Sequence, residues 1–230
     1  MKVPKEKNIK GHRHIKYDVE SVSQEESIFR SANFYKEMNH RRSVREFSTQ
    51  PVEKEVIENI IQTASTAPSG AHKQPWVFCA VSNSNIKQQI RIAAEAEERE
   101  NYTSRMSERW KEDLEVLATD ADKPFLENAP WLIVVMKKAY DINEKGEKQN
   151  NYYVNESVGI ACGMLITAIH KAGLVTLTHT PSPMNFLSKV LKRPANERPY
   201  LLLPVGYPQN PVYVPDIHRK KIEEVSDFYL

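Results

Sequence analysis

The sequence predicts a layered fold of the α+β or α/β class, with one domain at residues 23–230 behind an N-terminal arm at residues 1–22. Four short apolar runs, rich in β-branched and aromatic residues, alternate with segments of helical periodicity. One helical segment, residues 154–172, carries so few charges that we expect it to lie buried against a sheet. Hydrophobic residues make up 40% and charged residues 27% of the chain, which excludes wholesale disorder and fibrous folds.

The first predicted elements are two helices. The segment 23–40 has apolar residues at roughly helical spacing, and Ser23 with Glu26 three residues later has the spacing of a capping box. The segment 53–67 places its apolar residues on one helical face and ends at Pro68, which breaks a helix.

The middle of the chain is predicted to hold two strands around a charged helical region. The strand at 76–82, WVFCAVS, crowds aromatic and β-branched residues between turn residues. The segment 85–117 has a helical pattern with many charges, which predicts two helices or one bent helix on the outside of the domain. A second strand is expected at 131–137, followed by a polar loop at 141–150.

The remaining elements follow the weakly charged segment 154–172. Gly173 comes directly after it, where a glycine commonly ends a helix. A third strand is predicted at 174–178, a short helix at 184–191 and a fourth strand at 200–205.

Charge and cysteine content limit the partners and the location. Lys and Arg total 32 against 30 Asp and Glu, a balance that gives no sign of a nucleic-acid partner. Cys79 and Cys162 lie in apolar runs without a CxxC pair, so buried thiols in a reducing compartment are expected. The sequence has no signal peptide, membrane span or metal-ligand spacing such as HExxH, and the expected location is the cytoplasm. The tails, residues 1–22 and 207–230, look too extended to fold on themselves, so we expect them to dock on a partner subunit.

Three motifs are candidates for a ligand site. RRSVR, residues 41–45, places three guanidinium groups and a hydroxyl within five residues, which suits an anion such as a phosphate. The alternative for this motif is a solvated basic helix end. TAPSGAHKQPW, residues 66–76, offers amides in a fixed turn, and PVGYP, residues 204–208, ends a strand; each alone also suits an ordinary loop. The glycine-rich phosphate loops of dinucleotide folds and P-loops are missing from the sequence.

Together with longer stretches such as NYYVNESVGIACGMLITAIHKAGLVTLTHTP, these motifs resemble the nitroreductase-like FMN flavoprotein family, in its iodotyrosine deiodinase branch. The resemblance extends over about residues 24–222. It implies an α+β homodimer with a mixed sheet flanked by helices, exchanged terminal extensions and an FMN at each subunit interface. It also implies the reductive dehalogenation of halotyrosines to tyrosine and halide by single-electron steps from reduced flavin. NADPH or a reductase would be the electron source.

The resemblance also implies an FMN site, whose residues in this sequence are Arg41, Arg42, Ser43, Val44, Arg45, Ser69, Thr178, His179, Thr180 and Arg219. The arginines, assisted by Ser43, would hold the phosphate and the pyrimidine edge of the ring, because both carry negative charge. Ser69 would come from the partner subunit. The Thr180 hydroxyl would act catalytically by meeting flavin N5, where a donor favours one-electron steps. Relatives have threonine at position 179, so the role of the His179 side chain is open.

The same resemblance implies a clamp for an amino-acid substrate. Glu98 would bind the α-ammonium of a halotyrosine, Tyr102 and Lys123 would bind its α-carboxylate, and the Ala71 amide would hold the phenolate oxygen. Glu98 and Tyr102 are four residues apart and would share one helix face. Judged by charge pattern alone, these residues would belong to an ordinary solvated helix.

Two other functions compete with this interpretation. A general FMN nitroreductase or quinone reductase that uses NAD(P)H would share the arginines but would not need Glu98, Tyr102 and Lys123. A non-enzymatic module could bind nucleic acid through the basic N-terminal arm, although the balanced net charge argues against it.

Overall fold

The structure, a computed structural model, describes residues 5–230 and divides into two compact units, one up to His40 and one from Arg41 onward. The first four residues of the predicted arm lie outside the described residues. The first unit contains β1 (Glu6–Ile9), β2 (His12–Ile15) and α1 (Gln24–His40). The two strands pair as an antiparallel hairpin. The domain boundary expected between residues 22 and 23 stays a prediction.

Helix α1 begins with the predicted cap and has an uncovered apolar side. The Ser23 hydroxyl accepts a hydrogen bond from the Glu26 N–H at 3.1 Å, which confirms the cap. The helix contains no buried residue, and Ile28 and Phe29 are each 62% exposed. An apolar surface of this kind is typical of a helix that packs against another chain.

A four-stranded antiparallel sheet forms the centre of the second unit. The strands from Arg41 onward are β3 (Trp76–Val81), β4 (Trp131–Lys138), β5 (Tyr140–Ile142), β6 (Lys148–Asn150), β7 (Val175–Thr176) and β8 (Glu197–Gly206). The order in the central sheet is β3-β4-β8-β7, and all three pairings are antiparallel. An isolated parallel bridge joins Ser43 to Thr176 and attaches the arginine-rich segment to the sheet edge.

Strands β5 and β6 form a small antiparallel hairpin where the sequence predicts a polar loop at 141–150, so that prediction was wrong. Strand β6 is polar and exposed, and β5 has only three residues, which is too short for an alternation of apolar residues to mark it as a strand. The turn between them is closed by the side chain of Asn143, whose Oδ1 accepts from the Glu147 N–H at 2.9 Å.

Helices cover both faces of the central sheet. The covering helices are α2 (Lys54–Ser65), α3 (Ser84–Glu100), α5 (Phe125–Asn128), α6 (Val154–Lys171) and α7 (Asn185–Val190), whereas α4 (Glu108–Glu115) has no buried residue. The charged region predicted as two helices or a bent one resolves into α3 and α4, joined by a π-helical turn at Asn101–Arg105. Gly173 follows α6 with a φ of 74°, the left-handed conformation expected of a glycine at a helix end.

The pleat of β4 divides the core into two layers. Ile133 and Val135 pack with residues of α2 and α6, whereas Leu132, Val134 and Met136 pack with residues of α3, α5 and α7. Helix α6 lies in the core, as its low charge predicts. The predicted α+β class, with a sheet flanked by helices, is confirmed.

Both cysteines are free thiols, and burial raises the pKa of Cys162 to about 12. In the part of the chain that the structure describes, no helix is both long and apolar enough to cross a bilayer.

Candidate active site

A cavity of about 500 Å³ opens in the second unit, and most of the residues nominated from the sequence line it. Those residues are Arg41, Arg42, Ser43, Arg45, Glu98, Tyr102, Lys123, Thr178, His179, Thr180 and Arg219. Val44, Ser69 and Ala71 are not on the wall. The cavity thus brings together segments that are far apart in the sequence.

The arginine side of the cavity is fixed by backbone contacts to the sheet. The N–H of Val44 donates to the carbonyl of Thr176 at 3.2 Å, and the Val44 side chain is buried. Val44 therefore anchors the segment, while the neighbouring Ser43 and Arg45 line the cavity. Burial lowers the pKa of Arg45, so a guanidinium at this position gains from an anion beside it.

The C-terminal segment adds a further guanidinium to the same side. Arg219 donates from Nη2 to the carbonyl of Arg41 at 2.7 Å, and Arg42 donates to the carbonyl of Pro215. Burial, and then the charges of Arg219 and Arg42, lower the pKa of Arg41. Cations placed this close to one another favour a multiply charged anion, and a phosphate monoester has that charge.

The segment that follows β7 presents hydroxyls to the cavity. Thr178 and Thr180 line it and are exposed, whereas His179 between them is buried. Two backbone hydrogen bonds fix the segment to β8. The His179 N–H donates to the Leu202 carbonyl at 2.9 Å, and the Leu202 N–H donates to the His179 carbonyl at 3.1 Å. The backbone that carries the two threonines is thus held by the sheet.

His179 is a buried, neutral imidazole. It is 6% exposed, its ring meets the Phe125 ring edge-on at 5.5 Å, and its Nε2 has no hydrogen-bond partner among the described residues. Burial, and then the charges of Lys123 and Arg45, lower the pKa of His179 to about 3. The imidazole therefore carries no charge at neutral pH.

Glu98 and Lys123 form a long ion pair in another part of the cavity wall. The Lys123 Nζ lies 4.0 Å from Glu98 Oε2, and only 5% and 11% of their side chains are exposed. Burial raises the pKa of Glu98, although the charge of Lys123 opposes this shift, and burial lowers the pKa of Lys123. Because 4.0 Å is too long for a hydrogen bond, both charges keep the capacity to bind a ligand.

Tyr102 completes this group from the π-helical turn. Its hydroxyl donates to the carbonyl of Thr119 at 2.9 Å, and Lys123 Nζ lies 5.8 Å from the centre of its ring. Lys123 Nζ also donates to the Thr119 hydroxyl at 3.1 Å and to the carbonyl of Asp120. The turn is wider than an α-helical one, and π-helical turns often occur at functional sites.

Ser69 and Ala71 lie in a separate turn of the same chain. Ala71 and His72 have φ values of 48° and 54°, in the left-handed region that side chains seldom adopt. Gly70 is required there, since a Cβ would lie 2.9 Å from Tyr153 Cδ2. The Ser69 hydroxyl accepts from the Gln74 N–H at 2.9 Å. That Ser69 serves the site of a partner subunit stays a prediction.

The sequence analysis missed an apolar part of the wall, which consists of Met106, Trp110, Leu114 and Leu117. Their spacing, 106, 110, 114 and 117, is that of one helical face, a signal that could have identified them. It also missed Asn101, whose side-chain amide donates to the carbonyl of Ser182 at 3.0 Å and joins two sides of the cavity.

Comparisons with known proteins agree on one family. The sequence matches the Nitroreductase family over residues 38–207. An iodotyrosine deiodinase of Haliscomenobacter hydrossis is 62% identical over 205 residues, which cover 89% of this chain and 92% of that protein. An iodotyrosine deiodinase of Daphnia pulex is 49% identical over 216 residues, which cover 94% of this chain and 72% of that protein.

A solved structure supports the same grouping. The crystal structure of oxidized iodotyrosine deiodinase bound to FMN and 3-iodo-L-tyrosine matches this chain with a TM-score of 0.74 and 30% sequence identity. The match covers 85% of this chain and 100% of that chain.

Proposed function

The chain belongs to the nitroreductase family and to its iodotyrosine deiodinase branch, and from this premise we propose how it dehalogenates halotyrosines with electrons from FMN. It converts 3-iodotyrosine and related halotyrosines to tyrosine and halide. The observation that carries the proposal is the buried pair of Glu98 and Lys123, which faces the same cavity as four arginines. A reductase for simple nitroaromatics would have no use for the pair.

The wall of the cavity fits FMN. Arg41, Arg42, Arg45 and Arg219 supply positive charge for the phosphate and for the edge of the ring that becomes negative on reduction. We assign the Thr180 hydroxyl to flavin N5. When bound, FMN supplies the two electrons of the reaction one at a time.

The clamp selects an amino acid. Glu98 binds the α-ammonium of the substrate, and Lys123 with Tyr102 binds its α-carboxylate. Each charge is costly to bury alone, and a zwitterion pairs with both of them. The apolar side chains of Trp110, Leu114 and Leu117 exclude water from the bound ring.

The protein's residues prepare the substrate for loss of its halogen. The halogen lowers the pKa of the phenol, so a site that prefers phenolate favours halotyrosine over tyrosine; we assign the Ala71 amide to that oxygen. The carbon–halogen bond then breaks as two electrons enter, a proton takes the place of the halogen on the ring carbon, and the halide leaves.

A homodimer would complete the site. The uncovered apolar side of α1 supports it, and so does the position of Ser69 and Ala71 away from the cavity wall of their own chain. The electrons would come from NADPH, directly or through a reductase. The free thiols Cys79 and Cys162 agree with the predicted cytoplasmic location, which stays a prediction.

A general nitroreductase or quinone reductase is the second candidate, because the family match itself does not depend on the clamp. The purified, FMN-loaded protein separates the two under anaerobic conditions. After reduction with dithionite, prompt reoxidation by 3-iodotyrosine with release of iodide and tyrosine is expected. Reoxidation by nitroaromatics or quinones but not by 3-iodotyrosine would favour the general reductase.

A further inference from the structure

The position of Lys123 depends on a residue that the clamp itself does not include. We propose that Glu95 is a positioning residue, which holds the backbone of Lys123 so that the clamp prefers an amino acid over a bare halophenol. This inference rests on the proposed halotyrosine dehalogenation.

Glu95 lies one turn before Glu98 on α3 and is 8% exposed. Its Oε1 accepts a hydrogen bond from the backbone N–H of Lys123 at 2.8 Å and another from Arg91 Nε at 2.6 Å. Its Oε2 lies 3.9 Å from Arg99 Nη1. Two successive carboxylates on one side of α3 therefore contact the same lysine, one at its backbone and one near its ammonium.

The contact matters because it joins the backbone of Lys123 itself, rather than a side chain of the segment, to α3. Residues 116–124 connect α4 to α5, and within this segment the Asp122 N–H donates to the side chain of Asp120. Pro124 follows Lys123 and has no N–H to donate. The Lys123 N–H thus fixes the end of this segment to α3 across 28 positions of sequence.

The charge on Glu95 is well compensated. Although burial alone would raise its pKa, the hydrogen bonds from Arg91 and from the Lys123 N–H, with the charges of Arg91 and Arg99, lower the pKa overall. Arg91 is also 3.5 Å from Glu127, and Arg99 is 3.6 Å from Asp122. An ionised carboxylate accepts a backbone hydrogen bond more strongly than a neutral group does, so Lys123 is held firmly at neutral pH.

Substitutions at position 95 separate the acceptor from the charge. Glu95→Met and Glu95→Gln both remove the charge, but only glutamine keeps an oxygen that can accept from the Lys123 N–H. Glu127→Gln is the matched control, since Glu127 also pairs with Arg91 but its side chain has no contact with Lys123. Should Glu95→Met fail to fold, Glu95→Asp replaces it, because aspartate keeps the charge and withdraws the carboxylate by one methylene.

The measurement is the ratio of two dissociation constants on FMN-loaded protein, followed by flavin fluorescence. 3-Iodotyrosine carries the amino-acid group, and 2-iodophenol carries only the ring and the halogen. We expect Glu95→Met to raise the dissociation constant of 3-iodotyrosine about tenfold. The dissociation constants of 2-iodophenol and FMN should not change. Glu95→Gln and Glu127→Gln should stay within about threefold of the unmodified protein for both compounds.

Two results overturn the inference: an unchanged ratio in Glu95→Met or Glu95→Asp, or an equal loss for both compounds. A different result contradicts the proposed function itself. If the unmodified protein binds 3-iodotyrosine no better than 2-iodophenol, the clamp does not recognise an amino acid at all.

Discussion

The two sides of the cavity are built in different ways. The side with the arginines and threonines is tied to the sheet by backbone hydrogen bonds, from Val44 to Thr176 and between His179 and Leu202. The side with Tyr102 and Lys123 is held mainly by side-chain contacts, and α4 beside it has no buried residue. The first side is thus formed with the fold, whereas the second depends on contacts that a ligand can strengthen.

The largest expected effect comes from a substitution on the side that is held mainly by side-chain contacts. Glu98→Gln keeps the shape of the side chain but removes its charge, and it should lower kcat/KM for 3-iodotyrosine about 100-fold, because it leaves Lys123 buried without its partner. FMN binding and nitroaromatic reduction should be unchanged. Glu100→Gln, an exposed position in the same turn, is the control for steady-state kinetics. Equal activity of the two variants would contradict the clamp.

On the side that is tied to the sheet, we expect the buried His179 to make the stability of the fold depend on pH. His179 has a pKa of about 3 when folded and an ordinary value near 6.5 when unfolded, so the unfolded chain binds more protons between these values. Stability should therefore be lost as pH falls from 6.5 toward 3. When the pH is lowered from 7 to 5, the unfolding free energy of the unmodified protein should fall. This fall should be about 2 kcal/mol larger than the fall for the His179→Thr variant.

Urea unfolding at both pH values, at one fixed FMN concentration, measures this difference. Parallel pH profiles for the two proteins would mean that the imidazole is not buried as described.

Arg41→Gln should affect the cofactor and leave the substrate clamp intact. Loss of one guanidinium should raise the dissociation constant of FMN about tenfold, the usual size of a charge-assisted hydrogen bond. Fluorescence titration with FMN measures it, and Arg109→Gln, an exposed arginine on α4, serves as control. If the FMN-loaded Arg41→Gln protein also binds 3-iodotyrosine much more weakly, the two sides of the cavity do not act separately.

The smallest expected effect is at Tyr102. Tyr102→Phe removes the hydroxyl that donates to the Thr119 carbonyl, and it should raise KM for 3-iodotyrosine about threefold with little change in kcat. Binding of 2-iodophenol should not change. A lower kcat at constant KM would instead place the phenol in the chemical step.

The strands and the buried helix could be predicted because burial leaves a pattern in the sequence. β4 is a continuous apolar run, and α6 combines helical spacing with few charges. The β5–β6 hairpin could not be predicted in this way, since β6 is polar and exposed and β5 has only three residues.

The site was predictable to a similar extent. Arg41, Arg42 and Arg45 stand together in the sequence, and the family resemblance nominated Arg219, Glu98, Tyr102 and Lys123. The tie between Glu95 and the Lys123 N–H was not predictable, because a side chain that meets a backbone group 28 residues away leaves no periodic signal. The apolar wall from Met106 to Leu117 did carry such a signal and was overlooked among the charges around it.

The turn with Ser69 and Ala71 lies away from the cavity wall of its own chain, and this position affects how two mutant alleles combine. In the proposed dimer each site takes its clamp from one chain and this turn from the other. A chain with Glu98→Gln and a chain with a disabled turn would each be inactive alone. Co-expressed, they would form mixed dimers in which one site is defective twice and the other is fully intact. Two inactive alleles would therefore complement each other and restore activity.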